Sequence, residues 1–273
     1  MKKETCLIRT FVKLDDKSKQ KEGERKRGRI MGLRASELVT IFCVYKKWGY
    51  KTLRECYNRE SEWLRQYFPK LPNYKGLMKL RGRANRLLAD LLEDKTAVIQ
   101  KQSRRFYIDA TPLPVCKLVR SRQHVTTRSL ATYGYSSTGA FYGLKLHAVI
   151  DETKNLGAFA VSPGNVHDVN YLTSLTIGMS GKIAADRGYL SASRKANLEK
   201  RGLNLITKHR KNMPSPKLSP EDNTFLRKRP KIETFFRQFK HLLANGLSFA
   251  RSISGAFSEI LISLAVLSLD FIQ

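Results

Sequence analysis

The spacing of apolar positions changes once along the chain, near Arg105. Before that point the period is helical. Leu38, Ile41, Phe42 and Tyr45 fall at i, i+3, i+4 and i+7, on one helical face, and Ser36 stands where an N-cap belongs. The stretch "KWGYKT" predicts a turn at Gly49, a second short helix through Leu53 and Tyr57, and a third near "EWLRQYF". After "PKLPNY", Asn73 can cap a longer helix carrying Leu77, Leu80, Leu87, Leu88, Leu91 and Leu92. Its outer face presents Lys75, Lys79, Arg81, Arg83 and Arg86.

Beyond Arg105 the pattern becomes that of strands. The segments 106–115 ("FYIDATPLPV"), 141–151 ("FYGLKLHAVID") and 157–164 ("GAFAVSPG") read as three consecutive strands. A helix from about Val169, the strand "KIAAD", a helix near Ala192 to Lys200, the strand "LNLITK" and two closing helices follow. Consecutive strands followed by alternating helix and strand predict an α/β domain with a mixed sheet. Near the end, "ILISLAVLSL" (260–269) is apolar but only about half the length of a membrane span, and Glu259 and Asp270 flank it, so a buried helix is expected. The divisions that result are a basic arm or linker (1–35), a helical unit (36–103) and an α/β domain (104–273).

Charge sharpens this picture. Lys and Arg total 51 against 23 Asp and Glu, a net charge of +28 over 273 residues. Such an excess repels itself in an isolated globule and points to a polyanionic partner, nucleic acid first and an anionic membrane surface second. Residues 15–34, "DDKSKQKEGERKRGRIMGLR", fit a solvated linker or a basic arm along DNA phosphates equally well. Short helices ending in a basic one fit a helix-turn-helix-like DNA-binding unit, and a generic bundle with a solvated basic face would read the same. Cys6, Cys43, Cys56 and Cys116 have no paired spacing, which argues against a zinc ribbon or a disulfide scaffold and fits a reducing cytoplasm. "MKKETCLIRTFVK" has no uninterrupted apolar core, so no signal peptide is expected.

Three acids stand apart from the surface charge. Asp109 lies inside the first strand, Asp186 closes the "KIAAD" strand, and Glu233 sits beside the apolar stripe of "RPKIETFFRQFKHLL", with Arg237 at i+4 and Lys240 at i+7. Each has an ordinary reading alone: a strand-end Asp forms turns, and a helical Glu pairs with Arg at i+4. Together, two Asp on a sheet and a Glu on a later helix can converge into one cluster. That cluster repels itself unless divalent cations neutralise it. Hard oxygen ligands favour Mg²⁺ or Mn²⁺, and two ions about 4 Å apart would clamp the attacking and leaving oxygens of a phosphodiester.

The blocks "YIDATPLPVCK", "GLKLHAVID…VSPGNVHD", "AADRGY", "LNLITKHRKNM" and "LRKRPKIETFFRQFK" resemble insertion-sequence transposases of the DDE type, the nearest branch being the bacterial family numbered nine-eight-two. The likeness covers roughly residues 104–250. Arg229-x3-Glu233 and Glu233-x6-Lys240 reproduce the Arg, Glu and Lys spacing of a signature in related transposases, whereas the Tyr expected three residues before the Arg is Leu226. The resemblance implies an RNase H-like, mixed five-stranded sheet with flanking helices, in which Asp109, Asp186 and Glu233 hold Mg²⁺, with Mn²⁺ as a substitute. It also implies an enzyme that binds terminal inverted repeats and target DNA, hydrolyses a strand at the element end and joins the freed 3′-OH to the target. A homo-oligomer in the active complex and a cytoplasmic, nucleoid-associated setting follow from the same family.

Further DNA contacts are expected from Arg229, Arg237, Lys240 and Lys145, from Arg120, Arg122 and Arg128 in the basic loop 119–137, and from Lys79 and Arg83 in the helical unit. Lys145 and His147 alternate on one strand face and could approach phosphates. In "SPGNVHDVN" the favoured reading is a turn, with Asp168 capping the next helix, over a metal or DNA role for His167 and Asp168. Rival functions are another RNase H-like nuclease, or a decayed or repurposed copy that binds DNA without cutting it.

Overall fold

The computed structural model describes residues 2–22, 32–208, 218–243 and 246–269. The linker reading of 15–34 falls partly outside them, and the basic "HRKNM" stretch falls wholly so. Residues group into two compact units: 1–92 with 242–245 and 250–273, and 93–241 with 246–249.

In the first unit, α1 (Lys3–Glu22) forms where a charged arm was expected, with Cys6, Leu7, Thr10 and Leu14 buried at helical spacing. Helix α2 (Ala35–Lys47) starts one residue before Ser36. Arg34 holds the cap position, its N–H donating to Glu37 Oε2 (2.7 Å), while Ser36 Oγ donates instead to Asp15 (2.9 Å). The two short helices expected next are one, α3 (Leu53–Tyr67), capped by Thr52. Asn73 does cap a helix, but α4 (Tyr74–Lys79) stops at Leu80 before α5 (Arg81–Gln102) begins. The apolar run 260–268 lies in α10 (Ile253–Ser268), where Ile260, Ile262, Leu264, Ala265 and Val266 are buried. Helix α10 packs on α2, and Tyr45 of α2 donates to the Glu259 carboxylate (2.7 Å to Oε2). No described helix is long and apolar enough to cross a membrane.

The second unit is built on a curled mixed sheet. Its strands are β1 (Arg105–Pro114), β2 (Thr132–Ser136), β3 (Gly139–Asp151), β4 (Leu156–Pro163), β5 (Gly181–Ala184) and β6 (Leu203–Ile206). Among the described residues the sheet has six strands rather than five. "TYGYS", the end of the loop expected over 119–137, forms a strand that pairs antiparallel with the start of β3 across Ser137-Thr138. Strand β3 pairs antiparallel with β1 on one edge, and with β2 and then β4 on the other; β5 lies parallel to β1, and β6 parallel to β5.

Alternation along β1 sorts the two faces. Phe106 and Ile108 face a core shared with Val149, with Leu172 and Leu175 of α6 (Leu172–Leu175), and with Leu198 of α7 (Ala192–Lys200). Tyr107 faces the other way and packs on Phe225 of α8 (Pro220–Arg227), ring centroids 5.1 Å apart. Helix α9 (Lys231–Leu243) follows after a three-residue link, its Ile232, Phe235 and Phe239 buried. Asp109 shares the face of Tyr107.

Two glycines let β1 be approached closely. A Cβ on Gly143 would lie 2.2 Å from the Leu113 carbonyl oxygen. Gly181, at φ +104°, begins β5 with its Cα against β1, and a Cβ there would lie 2.1 Å from the Arg104 oxygen. Gly181→Ala therefore combines left-handed strain with a backbone clash. It should destabilise by roughly 3 kcal/mol or more and lower the melting temperature by on the order of 10 °C. Differential scanning calorimetry checks this, and a midpoint within 2 °C or so of the parent would contradict it.

Candidate active site

A cleft of about 650 Å³ opens at one end of the sheet, lined by Asp109, Asp186 and Glu233 together with Lys145, Asp168, Arg229, Arg237 and Lys240. Asp109 comes from β1. Asp186 stands two residues past the end of the neighbouring strand β5, at the cap position of the single-turn helix Arg187–Tyr189, so it follows the strand rather than closing it. Glu233 lies in the first turn of α9.

The three acids differ in exposure. Asp109 keeps 22% of its side chain accessible, Glu233 59%, and Asp186 is exposed. Burial raises the Asp109 carboxyl above its ordinary range. The Ala110 N–H (2.9 Å) and Arg229 oppose that rise, and the charge of Asp186 adds to it. Arg229 is the central cation: Nη1 donates to Asp109 Oδ2 (2.9 Å) and Nη2 to Glu233 Oε1 (3.2 Å). The helical partner of Glu233 is thus Arg229 at i−4, not Arg237 at i+4. Leu226, where a Tyr was expected, is buried in α8.

Among the described residues no three His, Cys, Asp or Glu converge closely enough to hold an ion as they stand. The fit to a cation is nonetheless visible in Arg229, whose guanidinium already sits between the Asp109 and Glu233 carboxylates. A dication bound by those oxygens would take over its charge.

Lys145 donates to Asp168 Oδ1 (2.9 Å) and to the Val166 carbonyl (3.0 Å). Asp168 does not cap: His167 holds that position and Asp168 opens the turn Asp168–Tyr171. His147, expected near phosphates, is wholly buried. Its Nε2 meets Ser162 Oγ (2.8 Å), its ring stacks on Tyr171 (4.3 Å between centroids), and burial pushes its pKa down to about 4. Arg120, Arg122 and Arg128 are exposed on the segment leading to β2 and do not line the cleft. Lys79 and Arg83 belong to the other unit, where Arg83 donates to the Leu33 carbonyl (3.0 Å).

The β2–β3 hairpin lines the cleft through residues 135–138, with Tyr135 81% exposed, at the end of the stretch 119–137 that the sequence offers as a long hairpin or a substrate contact. One feature escapes the sequence reading. Asp186 also borders a second hollow of about 600 Å³ whose charged walls are otherwise basic: Arg187, Lys208, Arg227 and Arg229.

The profile of a family described as "Transposase DDE domain" matches residues 100–253, more than half of the chain. No curated protein matches it. Among solved structures, the cryo-EM structure of the piggyBac transposase synaptic complex with hairpin DNA is similar at 11% sequence identity, with a TM-score of 0.52 over 99% of this chain and 74% of that one.

The raised Asp109 carboxyl has a consequence for stability. The folded state holds this proton more tightly than the unfolded chain does, so the group favours folding most below its ordinary value of 3.8 and less as pH rises through the folded value. Without divalent ions, Asp109→Asn should melt above the parent at pH 7, and the difference should vanish as pH falls below 3.8. A variant less stable than the parent at pH 7 would show that the ion pair with Arg229 outweighs burial.

Proposed function

Because the chain belongs to the DDE transposase-domain family, we propose that it is a DNA-cutting and strand-joining enzyme of the insertion-sequence type, with Asp109, Asp186 and Glu233 as its catalytic acids. One observation carries this reading: acids from β1, from just beyond β5 and from α9 share one cleft, and Arg229 already binds two of them. The sheet order, three antiparallel strands followed by two parallel ones, supports an RNase H-like domain.

In this reading the acids would hold divalent ions, Mg²⁺ with Mn²⁺ as a substitute. Bound there, the ions supply Lewis-acid stabilisation of charge on phosphate oxygens and activation of water or a 3′-OH. The protein's own groups do the rest. Asp109, fixed within a strand, sets the position of the site, and Glu233 adds its charge from the α9 side. Arg229, released from Asp109, becomes a bidentate donor for a phosphate. The hollow beside Asp186 offers Arg187, Lys208 and Arg227 to the backbone on one side of the cut, while Arg237 and Lys240 of the cleft offer charge on the other. Arg120, Arg122 and Arg128 would add charge from the segment leading to β2, and the other unit, with Lys79 and Arg83, would read the terminal inverted repeats. A homo-oligomer would pair two element ends.

The test uses DNA carrying the inverted repeats that flank the coding sequence. Asp186→Asn keeps shape and removes one charge, so nicking and joining in Mg²⁺ should fall by about 10³-fold or more, a loss of roughly 4 kcal/mol of transition-state stabilisation. Binding should survive, because other residues carry it. Joining at near the parent rate would reduce Asp186 to a turn former. Parent protein that binds but never cuts would favour a DNA-binding protein without catalysis.

Binding itself should be steeply salt-dependent. If some six phosphates are neutralised, affinity should drop about 10³-fold between 50 and 200 mM salt. An affinity that barely moves would count against nucleic acid as the main partner.

A further inference from the structure

The β2–β3 hairpin brings to the cleft an aromatic side chain that the fold itself does not use. Tyr133 and Tyr135 project from the same face of β2, but only the first is held. The Tyr133 ring lies 5.0 Å from that of Tyr142, its cross-strand partner, and its hydroxyl shares a hydrogen bond with Ser121 Oγ (2.7 Å). Opposite Tyr135 stands Ala140, too small to cover a ring. The Tyr135 side chain is 81% exposed and, among the described residues, meets no other ring and makes no hydrogen bond. A single exposed apolar group is ordinary. This one lines a cleft whose cations are Lys145, Arg229, Arg237 and Lys240.

The strand that carries it is fixed from behind. A Cβ on Gly134 would lie 2.3 Å from the Gly164 carbonyl oxygen and 2.7 Å from the Phe141 ring, so β2 is pressed against the chain that leaves β4. Thr132 Oγ1 donates to Asn165 Oδ1 (3.0 Å) and accepts from the Asn165 N–H (3.0 Å), which ties β2 to the same segment. At the tip, Ser136 Oγ donates to the Gly139 carbonyl (3.2 Å). A ring with two rotatable bonds on a fixed strand loses little entropy when a flat partner stacks on it. The charge selects that partner. A second copy of a chain of net charge +28 would set like charge against like, whereas a DNA base brings a flat face together with phosphates that the cleft's cations attract.

The reach follows from the strand register. Ala140 faces Tyr135 and Ala148 faces Asp109, eight residues further along β3. The two levels are thus separated by at most about 27 Å along the strand and two spacings of about 5 Å across it. At about 3.4 Å per base pair, the ring stands within about nine base pairs of a phosphate held at Asp109.

We propose that Tyr135 is a stacking platform for a DNA base drawn out of the duplex within about nine base pairs of the bond to be cut, so that the hairpin positions the strand for the acids. This rests on the reading of the cleft as a DNA-cutting site and adds a substrate-positioning residue outside the acids.

The test uses the full chain and DNA carrying the inverted repeats that flank the coding sequence, with thymines placed in turn across that interval. Permanganate oxidises thymines that have left the stack, and it is applied without divalent ions, so that no strand is cut. The parent should make one or two positions at least about fivefold more reactive than in free DNA. Tyr135→Phe keeps the ring and should keep this reactivity, with cutting in Mg²⁺ within about twofold of the parent. Tyr135→Ala should lose the reactivity and cut about tenfold more slowly. A mismatch at the reactive position should return Tyr135→Ala to within about threefold of the parent, because the base is then already loosened. Melting of Tyr135→Ala within about 2 °C of the parent confirms that an exposed side chain was removed without harm to the fold. A parent that binds and cuts with no reactive position overturns the proposal. So does a Tyr135→Phe loss as large as that of Tyr135→Ala, which would assign the role to the hydroxyl, and so does a slow Tyr135→Ala that the mismatch fails to rescue. A change of oligomeric state in Tyr135→Ala would give the ring to a second copy and overturn it as well. A parent that binds without cutting removes the reading of the cleft, whereas the permanganate pattern still decides for or against Tyr135; a parent that does not bind DNA overturns both.

Discussion

The arrangement of the second unit turns on one cation, the guanidinium of Arg229 between Asp109 and Glu233. Like charges about 4 Å apart repel by roughly 4 kcal/mol at the effective dielectric of a protein surface, and more where water is excluded. Asp109 is half-buried with Asp186 adding to its difficulty, so a cleft without that guanidinium would relieve itself by protonation or by parting the elements. Arg229 comes from the link between α8 and α9. The contact that calms the acids is therefore also the one that seats this helix pair over the sheet, next to the Tyr107–Phe225 packing. Ion pair and hydrophobic contact fix the same geometry from two directions.

Against a net charge of +28, the cleft is where four acids (Asp109, Asp168, Asp186 and Glu233) balance four bases (Lys145, Arg229, Arg237 and Lys240). On the proposed reading the surrounding basic surface would draw a polyanion in, and cations would have to offset the acids at short range. The hollow on the far side of Asp186 shows how steep the change is: a single carboxylate there borders Arg187, Lys208, Arg227 and Arg229. On the proposed reading, a phosphate backbone laid along that wall would meet attraction up to the edge of the cleft.

Local order was largely legible in the sequence, because periodicity reports which face of an element is apolar. β1, β3, β4, α7 and α10 fall close to where their patterns put them. What was illegible needed information from elsewhere in the chain. The partner of Glu233 was expected at i+4, but the choice of i−4 is made by Asp109, which is 120 residues from Arg229 in sequence. Within β2, Gly134 is a residue that discourages strands in isolation. Here it is required, since a Cβ would lie 2.3 Å from the Gly164 carbonyl oxygen. Asp168 misled for a different reason: capping and ion pairing use the same carboxylate, and only the lysine from β3 decides between them.

The acid held most rigidly is also the one whose ionisation the fold opposes most. Asp109 lies within β1, paired with Ala148 of β3 on one side while the ladder to β5 ends at Tyr107, so the β3 pairing restrains its backbone. Asp186 and Glu233, by contrast, stand at the start of helical turns and remain exposed, free to adjust by a rotamer. A site that must place charge to within about half an ångström needs at least one ligand that does not yield. If the three acids hold cations as proposed, a ligand fixed in the strand with two adaptable partners would concentrate the electrostatic strain at Asp109, where Arg229 supplies the opposing charge.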